Sequence, residues 1–323
     1  MSMMRAAFVV PEAAGGRLEI RDTEIPAPGA GQILVRVKAA GLNRGEVLYR
    51  RAARKGAPYI GGVEFAGEVA ALGVGAGSFA PGDRVMGHGA ATQAEYVVVE
   101  ERALMSVPAS LSWQEAAAFP NVFITAHDAL ATAGGLRPGD NVLVNAAASG
   151  IGVAAIQIAR VLGANAIVAT SRSAAKLAAV APLGVTCAVG AEGLAEAVRT
   201  ATGGKGIDLA IDIVGGPTLA ETVAVLAMGG RLVNIGRMGG RLGELDMDRL
   251  SFFGLRIIGV SFRARSRSQT LDGIAACARD LLPHLASGAI RVPIARSFAL
   301  ADIAAAHDIV ELDGHVGKIV ITL

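Results

Sequence analysis

From Asn141 onward, short apolar runs alternate with segments of helical period. The runs at 141–145, 166–170, 185–189, 207–211, 231–235 and 256–260 read as buried strands. Between and after them, 149–162, 173–180, 192–201, 217–227 and 267–286 place apolar residues at helical spacing. Six strands alternating with helices predict a doubly wound parallel sheet, an α/β architecture. Residues 5–120 follow a different pattern. Short β-like runs at 5–10, 18–21, 33–40, 67–72, 83–86 and 94–99 are separated by turn signals at 26–29, 73–77 and 81–83, which predicts a compact, mostly antiparallel β domain. A helical stretch follows at 113–135, with Ser112 as N-cap and Glu115 completing a capping box. The tail returns to β-like runs at 291–295 and 318–322 around a helix at 301–312, so it is expected to fold back onto the first domain.

The chemistry concentrates in 141–160, NVLVNAAASGIGVAAIQIAR. A buried strand, a turn of small residues and a helix together form a pyrophosphate cradle, in which the backbone approaches the phosphate and unpaired helix N–H groups point at it. Two layouts of the glycine pattern are open. Gly150-x-Gly152-x-x-Ala155 matches directly, whereas Ala147-x-Ser149-x-x-Gly152 puts the tight turn immediately after the strand and is preferred.

Sites that prefer NAD place a carboxylate about 20 residues past this turn, on the ribose 2′-hydroxyl. Here the second strand ends in Ser171 and Arg172, with Lys176 one helical turn on, and no Asp or Glu occurs between Asp140 and Glu192. Two cations and hydroxyls suit a 2′-phosphate, so NADPH is the expected cofactor.

Composition narrows the class. The chain of 323 residues is 52% hydrophobic with mean hydropathy +0.49, yet Gly, Arg and Asp interrupt every apolar run before the roughly 18–20 residues of a spanning helix. No signal peptide is recognisable, which points to the cytoplasm and no membrane partner. Cys187 and Cys277 lie far apart in apolar settings, which suits free thiols rather than a disulfide framework. A net charge of +2 argues against nucleic acid as the main partner.

Six motifs carry a resemblance that spans nearly the whole chain. They are Gly41-Leu42-Asn43-Arg44, the run from Gly61 to Gly67, Pro81-Gly82-Asp83-Arg84-Val85, Ala148-Ser149-Gly150-Ile151-Gly152, Asp212-Ile213-Val214-Gly215-Gly216 and Gly317-Lys318-Ile319-Val320. The chain resembles the zinc-independent quinone oxidoreductase branch of the medium-chain dehydrogenase/reductase superfamily. The resemblance implies a catalytic GroES-like β domain (1–119 and 263–323) and a Rossmann NADPH-binding domain (120–262). It also implies a homodimer paired through cofactor-domain sheet edges, which exposed edges make physically sensible.

Zinc-dependent relatives carry Cys where Asn43 stands and His where Val63 stands, and neither replacement suits zinc. His88, His127, His284, His307 and His315 show no ligand spacing and read as structural or surface residues, so no metal is expected. Without a Lewis acid, direct hydride transfer to an electron-poor quinone or α,β-unsaturated carbonyl remains. The resemblance implies Asn43 and Thr125 near the nicotinamide, with Gly236 and Phe262 meeting it through backbone groups. It further implies Ser149, Gly150, Ile151 and Gly152 at the pyrophosphate, Ser171, Arg172 and Lys176 at the 2′-phosphate, and Lys318 among the cofactor contacts.

Relatives usually carry an acceptor-facing Tyr about a dozen residues past the Asn-Arg motif. This chain has a basic stretch there, Arg50 to Lys55, with Tyr49 and Tyr59 to either side as the candidate proton donors. That stretch either meets an anionic acceptor through Arg51, Arg54 or Lys55, or is a solvated loop. A second Tyr, stacking on adenine in relatives, is replaced around Val189-Gly190, and Arg263, Arg265 and Arg267 form another basic loop of cofactor, acceptor or surface role. Two rivals stay open: an enoyl-thioester or polyketide enoyl reductase, and an NADPH-regulated RNA- or protein-binding protein.

Overall fold

Residues 2–189 and 192–323 are described by the computed structural model, with the side chain of Arg263 outside the described set; Gly190 therefore lies outside it too. The chain divides into two compact units. The first holds residues 1–121, 274–286 and 291–323, and the second 122–273 and 287–290. Residues 263–273, expected with the β domain, group with the second unit instead, where Arg265 binds Asp128 and Gly273 lies against the Phe262 ring.

The first unit is built on Gln32–Leu42, a central strand buried along most of its length, with Ile33, Leu34, Val35, Val37 and Ala39 to Leu42 inside and Arg36 exposed. It pairs antiparallel with Glu64–Leu72 on one side and Lys318–Thr322 on the other, in a seven-stranded sheet that also holds Ile294–Ala299, Arg84–His88, Leu104–Ser106 and Tyr96–Glu100. Lys318–Thr322 brings the C-terminal segment onto this sheet, as its β-like pattern predicted. A second sheet joins Arg17–Glu24, Met3–Val10 and Tyr59–Ile60. Ser112 caps Trp113–Ala118, its backbone N–H donating to Glu115 Oε2 at 2.9 Å in the expected capping box.

One element departs from the sequence reading. The basic stretch beginning at Arg50 is not a loop throughout; it opens as the last turn of a helix, Arg44–Ala52. Its signal was present in Asn43-x-x-Glu46, an N-cap with an acidic N3 residue, but Gly45 and the paired arginines obscured the period.

The second unit is a six-stranded, all-parallel sheet in the order Cys187–Val189, Ala166–Thr170, Asn141–Val144, Ile207–Asp212, Leu226–Asn234, Arg256–Gly259. By position in the chain this is 3-2-1-4-5-6, the dinucleotide-binding order, whose switch point lies beside Asn141–Val144. The helix expected at 217–227 is only Leu219–Ala224, because Leu226 already enters the next strand and packs in the core with Leu143, Ile207 and Leu232.

Candidate functional site

In the first unit, Gly41-Leu42-Asn43 ends the central strand and starts a helix. A Cβ on Gly41 would lie 2.3 Å from Glu64 Oε1, so only glycine admits this carboxylate. Glu64, fully buried, then becomes the centre of a charged cluster. Lys318 Nζ donates to Glu64 Oε1 at 2.7 Å, to Asn43 Oδ1 at 2.5 Å and to the Leu42 carbonyl at 3.1 Å. Asn43 Nδ2 donates to Glu64 Oε1 (2.8 Å) and to Glu46 Oε1 (3.0 Å), and the Asn121 backbone N–H donates to Glu64 Oε2 at 2.7 Å. All three ammonium N–H groups of Lys318 are thus used inside this unit. A buried charge pair of this kind persists only when its remaining polar groups are satisfied, and here they are.

Glu46 connects the cluster to a cleft. Its Oε1 also accepts the Asn43 backbone N–H at 2.9 Å, and its Oε2 accepts from Gln93 Nε2 at 3.1 Å. Burial raises the Glu46 carboxyl to about 7; the Asn43 amide and Lys318 oppose the rise and the Glu64 charge adds to it. The cleft, of about 460 Å³, is lined by Glu46, Tyr49, Tyr59, Gly62, Gln93 and His307 among mostly small and apolar residues. Tyr49 and Tyr59, displaced from the family position in sequence, therefore line one cavity. Burial, then the Glu46 charge, holds the Tyr59 phenol above its ordinary value. His307 is buried with neither ring nitrogen hydrogen-bonded, and burial followed by the Arg50 charge pushes its pKa down to about 4, so the ring is neutral at physiological pH. Sequence reading placed His307 as structural and missed Glu46, Glu64, Gln93 and His307 as one group, because their separation in the chain hides the clustering. Arg51 pairs with Glu311, and Arg54 and Lys55 are exposed.

In the second unit, Asn141–Val144 leads into the small-residue turn and the helix Gly150–Val161. Ser149 caps this helix, its side chain accepting from the Gly152 N–H at 3.1 Å. A Cβ on Gly152 would lie 2.5 Å from the Ala146 carbonyl oxygen and 2.6 Å from that of Ala147, so this position, a glycine in both layouts, has no room for a side chain. Ala147 and Ala148, in the turn before this helix, are buried. Ser171 and exposed Arg172 follow the strand Ala166–Thr170, and Lys176 lies in the first turn of Ala174–Val180. With no Asp or Glu in the sequence between Asp140 and Glu192, these residues fit a dinucleotide with a 2′-phosphate.

Gly236 follows Leu226–Asn234, where Asn234 Nδ2 donates to Asp212 Oδ2 at 2.9 Å and to the Gly236 carbonyl at 2.8 Å. Thr125 is half-buried on the helix Pro120–His127. Phe262 lies under the Arg265 guanidinium, 4.9 Å from its centroid, and Arg265 Nη2 donates to buried Asp128 at 2.5 Å. Arg265 is therefore committed to this ion pair.

Comparison with known proteins places these features in a family. Residues 29–109 match the alcohol dehydrogenase GroES-like domain, and residues 150–276 match the family described as zinc-binding dehydrogenase. The chain is 34% identical over 308 residues (93% of its length) to the spectinabilin polyketide synthase system protein NorB of Streptomyces orinoci, but spans only 14% of that protein. It is 29% identical to quinone oxidoreductase of Rattus norvegicus, covering 94% of this chain and 92% of the relative. Among solved structures, an alcohol dehydrogenase superfamily protein from Novosphingobium aromaticivorans superposes at TM-score 0.89 with 30% identity and full coverage of both chains. The mycobacterial protein Rv1454c complexed with NADPH superposes at 0.86 with 28% identity, over 99% of this chain and 100% of that one. The chain belongs to the medium-chain dehydrogenase/reductase superfamily, in its quinone oxidoreductase-like branch.

Proposed function

We propose that the protein is a zinc-free, NADPH-dependent reductase that transfers hydride to quinones or α,β-unsaturated carbonyls. One observation carries the reading. At Asn43, where zinc-dependent relatives present a thiolate, the chain has an amide whose oxygen accepts from a lysine ammonium at 2.5 Å. That built-in cation, held also by Glu64, disfavours a divalent metal there. With position 63 a valine, the donor set does not fit zinc.

NADPH, when bound, supplies the hydride. The second unit would hold it through the turn at Ser149, Gly150, Ile151 and Gly152, with Arg172, Lys176 and Ser171 meeting the 2′-phosphate. Gly236, Phe262, Thr125 and Asn43 are assigned to the nicotinamide end by family likeness. Lys318 is assigned to holding Asn43 and Glu64 rather than to a cofactor phosphate, since its donors are spent. The cleft at Tyr49, Tyr59 and Gln93 would take the acceptor and exclude water from it. A homodimer through the edge strand Arg256–Gly259, which exposes Ile257, and a cytoplasmic location, which two free cysteines suit, complete the reading. Sedimentation as a monomer would remove the dimer from it.

The polyketide synthase relatives favour a second reading, reduction of a 2-enoyl thioester. The test is oxidation of NADPH and NADH by chelator-treated protein, each with an ortho-quinone and with a 2-enoyl thioester. Turnover of NADPH with the quinone is expected. Preference for NADH would contradict the role given to Arg172 and Lys176, and turnover with the thioester alone would replace the first reading by the second. NADPH binding without turnover would point to a binding protein.

A further inference from the structure

Glu46 is placed to do more than cap a helix. One carboxyl oxygen, Oε1, is pinned by the Asn43 backbone and side-chain N–H groups at 2.9 and 3.0 Å. The other, Oε2, accepts from Gln93 Nε2 at 3.1 Å, and a protonated carboxyl keeps one O–H to donate. This residue lines the same cleft as Tyr49, Tyr59 and His307.

We propose that Glu46 is the proton donor of the reaction, delivering its proton from Oε2 to the carbonyl oxygen of an acceptor bound in this cleft. The proposal rests on the reductase reading above. In the step, the acceptor's electrophilic carbon takes hydride from C4 of the dihydronicotinamide, and an electron pair moves onto the acceptor's carbonyl oxygen. That oxygen takes the Glu46 proton as the carboxyl O–H bond breaks. The nicotinamide is oxidised, the acceptor is reduced by two electrons, and bulk water reprotonates the carboxylate.

The neighbouring groups make the assignment readable by pH. Facing Glu46 are Glu64 on its strand, Lys318 on the C-terminal strand, Tyr49 on its own helix, Tyr59 on the short strand, and His307 with Arg50 behind it. His307 is already neutral above about 4, and Tyr59 is held above the ordinary phenol value, so neither changes charge between pH 5 and 9. The Glu46 carboxyl, raised to about 7 by burial, does change there. A donor with a pKa near the working pH is the efficient case.

The experiment measures kcat/KM for an α,β-unsaturated ketone at saturating NADPH from pH 5 to 9, in the wild type, Glu46→Gln and Glu46→Asp. The wild type is expected to be flat below pH 7 and to fall about tenfold per unit above it, because the protonated form is the active one. Glu46→Gln keeps the acceptor that caps the helix, and should lose both the break and about 10²- to 10⁴-fold in rate at pH 6. Glu46→Asp should restore the break with part of the rate. A Glu46→Gln rate within about threefold of wild type, with the break retained, overturns the proposal. If Glu46→Gln does not fold, Glu46→Asp decides, since an unchanged rate and an unmoved break there overturn it equally. Wild-type protein that turns over neither this ketone nor a quinone refutes the reductase reading itself, and the proton donor with it.

Discussion

A lysine ammonium and a glutamate carboxylate buried together are stable only as a set. Glu64 is fully buried, and Lys318 is 5% exposed. Replacing Lys318 by Met leaves the carboxylate without its counter-charge, which is expected to destabilise the protein by about 3–5 kcal/mol in chemical denaturation. The double variant Lys318→Met/Glu64→Gln should recover part of that loss, because no charge is left unpaired and the amide oxygen can still accept from the Asn121 N–H. No recovery would mean that the cluster contributes something other than paired charge. His307 works in the opposite direction. Its pKa falls from an ordinary 6.5 to about 4 in the folded protein, so the unfolded chain takes up a proton first as the medium is acidified. Its stabilising effect is complete above pH 6.5 and is lost as pH falls toward 4, by about 3 kcal/mol. A His307→Leu variant should show a visibly flatter stability profile over that window, and an unchanged profile would place the acid sensitivity elsewhere.

At the scale of elements, the sequence made the strand–turn–helix at Asn141–Val161 legible, because apolar run, small residues and helical period follow one another without interruption. Which glycine matters could also be read, since a tight turn straight after the strand demands close backbone approach at Gly152. Gly152→Ala is expected to weaken NADPH binding by at least about tenfold in a fluorescence titration, since the added methyl meets two carbonyl oxygens at 2.5 and 2.6 Å. Unchanged affinity would mean that the turn relaxes freely and that the cofactor does not depend on it. The helix Arg44–Ala52 was less legible. It has only nine residues, with glycine and two adjacent arginines, so its cap signal at Asn43 and Glu46 was stronger than its period. The helix expected at 217–227 was overextended for a different reason. Leu226 fits a helix by propensity, and only pairing beside Ile207 assigns it to the strand.

For the whole molecule, the alternation of strand and helix predicted the doubly wound parallel sheet, whereas its strand order comes from the fold. The clustering of Glu46, Glu64, Gln93, His307 and Lys318 was not accessible in the same way. These residues come from four strand or helix segments and one loop, and no local period links positions 46 and 318. Burial and pairing are properties of the folded sheet. The division of labour follows from the same architecture. On the proposed reading one unit would hold the cofactor's phosphates at the turn before Gly150–Val161 and at Arg172 and Lys176, and the other carries a cleft whose polar groups include a carboxyl, two phenols, an amide and a neutral imidazole. Neither set pairs a thiolate with an imidazole, so on the proposed reading hydride transfer proceeds without a Lewis-acid metal.

The most direct test of that claim follows the hydride itself. Chelator-treated protein would be given an α,β-unsaturated ketone and NADPH carrying deuterium at C4, on one face and then on the other, with the product analysed by mass spectrometry. One deuterium on carbon in each product molecule is expected from one face of the cofactor and none from the other. Reduced product lacking deuterium from both, or no product although NADPH binds, would contradict it.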